Sequence, residues 1–185
     1  QLGAVSRSAA AAVGQGKLTS LYEKAFSKEE QPIGQLLLSR EVLAYPESRA
    51  NFAETIHELL ANKILPIINE NDAVTIDEGN HLAKFADNDE LALLVSKAIQ
   101  ADLLVMLSDV NGLYSENPFM NEEAMMFQHL ASIDQTLIEN ASPALDGLSR
   151  GGIRSKLKTA SGALASNISM ILANGKRPEV LFDIL

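Results

Sequence analysis

Four short runs of uninterrupted apolar residues, each stopped by polar residues, constrain this chain more than any other feature. They are 33–39 (IGQLLLS), 64–69 (ILPIIN), 103–108 (LLVMLS) and 168–174 (ISMILAN). A strand with one wet face alternates between apolar and polar residues. A strand buried on both faces does not, so these runs suit a parallel sheet covered by helices. A short buried helix gives a similar run, and length and flanks arbitrate. Helical spacing fills the intervals. Residues 49–62 place Phe52, Ile56, Leu59 and Leu60 on one face, and 89–100 do the same with Leu91, Leu94, Val95 and Ala98. Residues 153–165 follow a glycine pair and carry Leu157, Ala160 and Leu164. Strand and helix alternate, which reads as βαβ units in an α/β sandwich. The segment 111–149 is less regular and contains Pro118 and Pro143; an extra strand is expected over 124–130, and no linker separates two domains.

Composition supports a packed core and excludes several functions. An apolar share of 46% is enough for a core and argues against disorder. No apolar run is long enough to span a membrane. Residues 1–16 are rich in small residues but lack the basic and apolar regions of a signal peptide. The chain has no initiating Met and is expected to begin part-way through a natural protein. The absence of cysteine rules out disulfides, thiolate metal sites and cysteine nucleophiles, and fits a cytoplasmic protein. A net charge of -9 argues against non-specific nucleic-acid binding, although an acidic protein binds nucleotides where its basic groups are concentrated. His57, His81 and His129 share no spacing and suggest no zinc site; Met125 and Met126 read as core gap-fillers.

Four polar constellations follow strands or open helices. Asn69, Glu70, Asn71 and Asp72 end the second apolar run, at the carboxyl edge where open α/β sheets bind ligands. Asn offers donors and acceptors and Asp accepts from an ammonium, so the group suits a zwitterion; a polar turn reads the same. Asp87, Asn88 and Asp89 open a helix and serve equally as caps or as a cluster awaiting a cation. Ser108 and Asp109 end the third run, before the Asn111-Gly112 turn signal. Ser149, Arg150, Gly151, Gly152, Ile153, Arg154, Ser155 and Lys156 combine glycines, a helix start and basic charge, which suits phosphate without matching Walker A spacing.

Read in order, these groups resemble the amino-acid-kinase family. The resemblance is carried by 11–15 (AAVGQ), 35–40 (QLLLSR), 66–74 (PIINENDAV), 87–89 (DND), 107–114 (LSDVNGLY) and 151–157 (GGIRSKL). The INENDAV run is the most specific and is similar to the branch that phosphorylates the side-chain carboxylate of L-glutamate. The resemblance implies a three-layer αβα sandwich with a mainly parallel central sheet. It implies formation of γ-glutamyl phosphate from ATP with Mg²⁺, the first step of proline biosynthesis, and a homo-oligomer with proline as feedback inhibitor. By carry-over, Asn69, Asp72, Asp87 and Asn88 hold glutamate. Because each follows a strand or opens a helix at the carboxyl edge, Asn69, Asp72, Asn88 and Asp89 are expected to converge on one crevice. Asp89 orients catalytic lysines. Ser108, Asp109 and Arg150, Gly151, Gly152, Ile153, Arg154, Ser155 and Lys156 bind the nucleotide, with Lys156 against the transferring phosphoryl group. No metal-ligating residue is assigned.

The chain departs from the family pattern in three ways. The first strand with its lysine and glycines, and the next with its Ser-Gly-Ala turn, have no counterpart. Residues 1–185 are therefore expected to form a single kinase domain, incomplete at its amino end and inactive alone. Ala86 stands where the family has Gly, and Ser149-Arg150 where it has Gly-Thr, so backbone strain is expected if those positions need φ > 0. A carboxyl-terminal RNA-binding-like domain, which bacterial members often carry, is not expected within residues 1–185. The rival readings are a kinase for N-acetylglutamate, carbamate or a nucleotide, and a non-catalytic fragment sensing proline or glutamate.

Overall fold

The computed structural model describes residues 4–74, 85–115, 121–140 and 153–185. The chain divides into two compact units, Gln1–Leu91 and Ala92–Leu185.

In the first unit, helix α1 (Ala4–Phe26) leads through a 3-10 turn (Ser27–Glu29) into β1 (Ile33–Leu38). Two helices follow, α2 (Arg40–Ala44) and α3 (Pro46–Ala61), and then β2 (Leu65–Glu70). Pro46 starts α3, where its missing N–H costs nothing and its fixed φ favours the helix. Strands β1 and β2 pair in parallel, with Ile33 opposite Leu65 and Leu38 opposite Glu70. Phe52 and Ile56 of α3 are buried, but Leu60 is 51% exposed and lies off the face that the spacing assigns to it. Helix α2 opens after Ser39. There the Glu41 carboxyl is held below its usual range, first by its own backbone N–H and then by the Ser39 side chain.

Helix α4 (Asn88–Ala98) begins in the first unit and ends in the second. The second unit continues with β3 (Leu103–Ser108), a hairpin of β4 (Leu113–Tyr114) and β5 (Met126–Phe127), α5 (Gln135–Asn140), α6 (Ile153–Leu164), β6 (Ser169–Asn174) and α7 (Val180–Ile184). Strands β3 and β6 pair in parallel, Leu103 opposite Ser169 and Ser108 opposite Asn174; β4 and β5 pair antiparallel. The strand expected over 124–130 is thus the two-residue β5. Its neighbour Met125 is 74% exposed and Met126 is 37% exposed, so these two methionines do not fill a core as expected. Leu157 and Ala163 form the buried side of α6, while Leu164 is exposed, again unlike the expected stripe.

Four helix-to-strand junctions among the described residues share one geometry. Glu30, Lys63, Gln100 and Asn167 have φ of 54°, 58°, 54° and 60°. At each, the next residue's N–H reaches back to the helix: Gln31 to Phe26 O, Ile64 to Leu59 O, Ala101 to Ser96 O and Ile168 to Ala163 O. These are Schellman ends, in which a left-handed residue satisfies terminal carbonyls and turns the chain into the following strand. Every strand of the two parallel pairs thus follows a helix ended in the same way.

The α/β class and parallel pairing match the sequence reading, and all four expected strands lie within about a residue of their runs. Helix α1 was not foreseen. It carries no clear apolar stripe, and Val13 and Leu21 are exposed. Its formation follows from intrinsic preference instead, since 9–12 is a run of Ala, the best helix former.

Candidate functional site

The carboxyl ends of β1 and β2 and the start of α4 are tied together by polar side chains. Arg40, just after β1, grips Glu90 in the first turn of α4 through both nitrogens, at 2.8 and 3.2 Å. Such fork-to-carboxylate pairing fixes orientation as well as distance. Glu90 Oε2 also accepts from the Ala86 N–H at 2.7 Å, and Asp87 Oδ1 accepts from the Glu90 N–H at 2.9 Å. Asp87 is therefore the N-cap of α4, and Glu90 reaches back across it in the manner of a capping box. Ala86 is not among the residues with positive φ, so the expected strain at this position does not arise. At the end of β2, the Phe85 N–H donates to Glu70 Oε1 at 3.3 Å; Glu70 is 8% exposed. The carboxylates of Glu70 and Glu90 thus join the strand ends to the helix. Replacing Glu90 with Ala is expected to cost about 1–3 kcal/mol, because the Ala86 donor and the half-buried Arg40 lose their partner. The urea midpoint should fall with an unchanged m-value.

A cleft of about 210 Å³ opens on this edge, lined by Ala11, Gly14 and Gln15 of α1, Leu37 of β1, and Glu70, Asn71, Asp72 and Ala73. Asn69 projects toward α1, where its Nδ2 donates to Gln15 Oε1 at 2.9 Å. Of the residues expected to converge, Asp72 lines the cleft, and Asn69 meets it through Gln15. Asp87, Asn88 and Asp89 sit at the amino end of α4, linked to the same edge by the Glu70 and Glu90 bonds but not in the lining of the cleft. The sequence reading gave no separate role to Gln15, Arg40, Glu70 and Glu90, although it placed Glu70 in the polar group that ends β2. All four lie within or beside the quoted motifs, so the signal was present but not their pairing.

In the second unit, the carboxyl ends of β3 and β6 carry Ser108, Asp109, Asn111, Asn174 and Lys176. Ser108 Oγ donates to Asp109 Oδ1 at 3.1 Å, and Asn174 Nδ2 to Asn111 Oδ1 at 2.9 Å. The Gly175 N–H donates to Ser108 O at 2.8 Å and the Lys176 N–H to Asn174 Oδ1 at 2.9 Å. Asn174 and Lys176 are additions to the sequence-based set. Ile153, Arg154, Ser155 and Lys156 form the first turn of α6, which has no acidic residue. Arg154 donates to Glu139 O at 2.8 Å, so it fastens α5 to α6. Arg150, Gly151 and Gly152 lie outside the described residues, as do Ser149 and His81. A larger hollow of about 480 Å³ lies at the opposite, amino ends of β3 and β6, lined by Lys97, Gln100, Asp102 and Asn167 among others. Its position beneath the helix-to-strand turns, away from the carboxyl edge, makes it the poorer ligand site despite its size. Among the described residues no three His, Asp or Glu are grouped to hold a metal ion, and no helix is long and apolar enough to cross a membrane.

A family model described as the amino acid kinase family matches residues 1–174. The chain is similar to glutamate 5-kinase of Enterococcus faecalis, 48% identical over 177 residues, covering 96% of this chain and 65% of that protein. It is similar to glutamate 5-kinase of Lactiplantibacillus plantarum at 44% identity, covering 96% and 67% respectively. The chain thus spans about two thirds of the length of the curated relatives it matches. Among solved structures, the crystal structure of an isopentenyl phosphate kinase substrate complex aligns with a TM-score of 0.49 and 20% identity, over 71% of this chain and 48% of that one.

Proposed function

Because the chain belongs to the amino acid kinase family, we propose that the protein phosphorylates the side-chain carboxylate of L-glutamate with ATP, the first step of proline biosynthesis. The family match spans both units, which we read as parts of one kinase domain. The observation that carries the proposal is the cleft bearing Gln15, Asn71 and Asp72 at the end of β2, in a chain 48% identical to a protein named for that substrate. Its volume, below the usual 300–1,000 Å³ of drug-sized sites, suits a small amino acid.

In this reading Asn69, Asp72, Asp87 and Asn88 serve the glutamate, with Asp87 acting through its hold on α4. Ser108, Asp109 and the first turn of α6 serve the nucleotide, together with Arg150, Gly151 and Gly152. A carboxylate oxygen of the substrate attacks the γ-phosphorus of ATP. The bond to the bridging oxygen breaks, ADP leaves, and an acyl phosphate forms. The protein contributes alignment and charge rather than covalent chemistry. Lys156 neutralises charge building on the phosphoryl oxygens, and Asp89 orients the lysine. Mg²⁺, where bound, adds positive charge at the phosphates. Kinase sites hold it with one or two carboxylates plus the nucleotide, so a preformed protein cage is not required. Proline shares the substrate's α-carboxylate and its nitrogen, which makes it a competitor for the same cleft. A homo-oligomer and a cytoplasmic location complete the proposal.

The test is a substrate panel on the complete enzyme. ADP release and hydroxylamine trapping of an acyl phosphate are expected with L-glutamate, and at least a hundredfold less turnover with N-acetyl-L-glutamate, carbamate or a nucleoside monophosphate. A preference for any of these would overturn the assignment.

A further inference from the structure

We propose that Gln15 determines specificity at the cleft, its carboxamide N–H groups reading the α-carboxylate of the amino-acid substrate. The inference rests on the glutamate reading above and assigns one residue of that site.

Helix α1 brings Gln15 to the end of β2 from far away in sequence, and the helix is anchored there. One turn on, the Thr19 hydroxyl donates to Gln15 O at 2.9 Å and accepts from Gln35 Nε2 of β1. Gln15 is half-buried and lines the cleft with Asn71 and Asp72. A carboxamide carries one acceptor oxygen and two donor hydrogens. The oxygen of Gln15 is engaged by Asn69 Nδ2 at 2.9 Å. That bond fixes the amide's orientation and leaves Nε2 as the group it can offer a ligand. The neighbouring Gly14 adds no bulk: a Cβ there would meet nothing within 4 Å. One cleft therefore holds a neutral donor and the Asp72 carboxylate, the complement of a carboxylate and an ammonium on one carbon.

Gln15→Glu separates this role from a structural one. Glutamate has the same shape and still accepts from Asn69, so the tie to β2 survives. Only the donor facing the ligand becomes an acceptor. Binding of L-glutamate and of L-glutamate 1-amide, whose α-carboxylate is replaced by a neutral amide, would be measured by calorimetry on the full chain. Wild type should prefer L-glutamate. Q15E should weaken L-glutamate at least tenfold and the 1-amide much less, so that the preference shrinks or inverts. Parallel weakening of both ligands, or none, overturns the proposal. Wild-type binding of L-glutamate with no preference over the 1-amide overturns it too, while leaving the glutamate reading intact. No wild-type binding of L-glutamate removes that reading, and the proposal with it. If Q15E loses its helical circular dichroism, Gln15→Met carries the same comparison, since it removes the donor without adding charge; equal loss of both ligands again overturns the proposal.

Discussion

In the complete enzyme, Lys156→Ala is expected to lower kcat for ATP-dependent phosphorylation by about a hundred- to a thousand-fold, the usual cost of removing one preorganised electrostatic donor. Lys156 lies half-buried in the first turn of α6, a turn that carries no acidic residue, at the positive end of the helix dipole. Arg154 in the same turn is directed to α5, so it does not substitute for the lysine. Charge on the phosphoryl oxygens is greatest in the transition state, so kcat should fall much more than KM for ATP rises. Lys156→Arg should recover part of the rate, since it keeps the charge but not the compact ammonium. Steady-state kinetics with both variants decides the matter. An unchanged kcat in Lys156→Ala would remove the lysine from the chemistry.

Ile56→Ala should destabilise the first unit by about 2–5 kcal/mol, the range for emptying a buried aliphatic site. Ile56 is 2% exposed and, with Phe52, forms the buried side of α3, the helix that packs against β2. Typical domains hold only about 5–15 kcal/mol in total, so this loss takes a large share of stability and should weaken ligand binding as well. Leu60→Ala on the same helix is the control: at 51% exposure it should change stability by no more than about 0.5 kcal/mol. Urea unfolding of the two variants would measure the difference. Equal midpoints would mean that α3 does not bury the face the structure assigns to it.

Much of the fold was legible in the sequence because it repeats over short distances. Uninterrupted apolar runs marked β1, β2, β3 and β6, and helical spacing marked α3, α4 and α6. The carboxyl-edge position of the polar groups followed from the same runs. Helix α1 escaped because its residues favour a helix without forming an apolar stripe, and the ends of the stripes on α3 and α6 were misplaced at Leu60 and Leu164.

What the sequence alone determined was which polar residues stand at strand ends and helix starts. Only the tertiary structure decided which of them are consumed in holding the site together and which line it. Glu70 and Glu90 read as neighbours of the ligand groups, yet they bind Phe85, Ala86 and Arg40. Asp87 read equally as a helix cap and as a ligand group, and the fold shows its carboxylate capping α4. Gln15 read as part of a motif without a role and meets Asn69 in the cleft wall. The physical reason is that strand and helix patterns arise from neighbours along the chain, within a turn or a pleat. A hydrogen bond between residues 15 and 69, or 40 and 90, exists only once separate elements have docked.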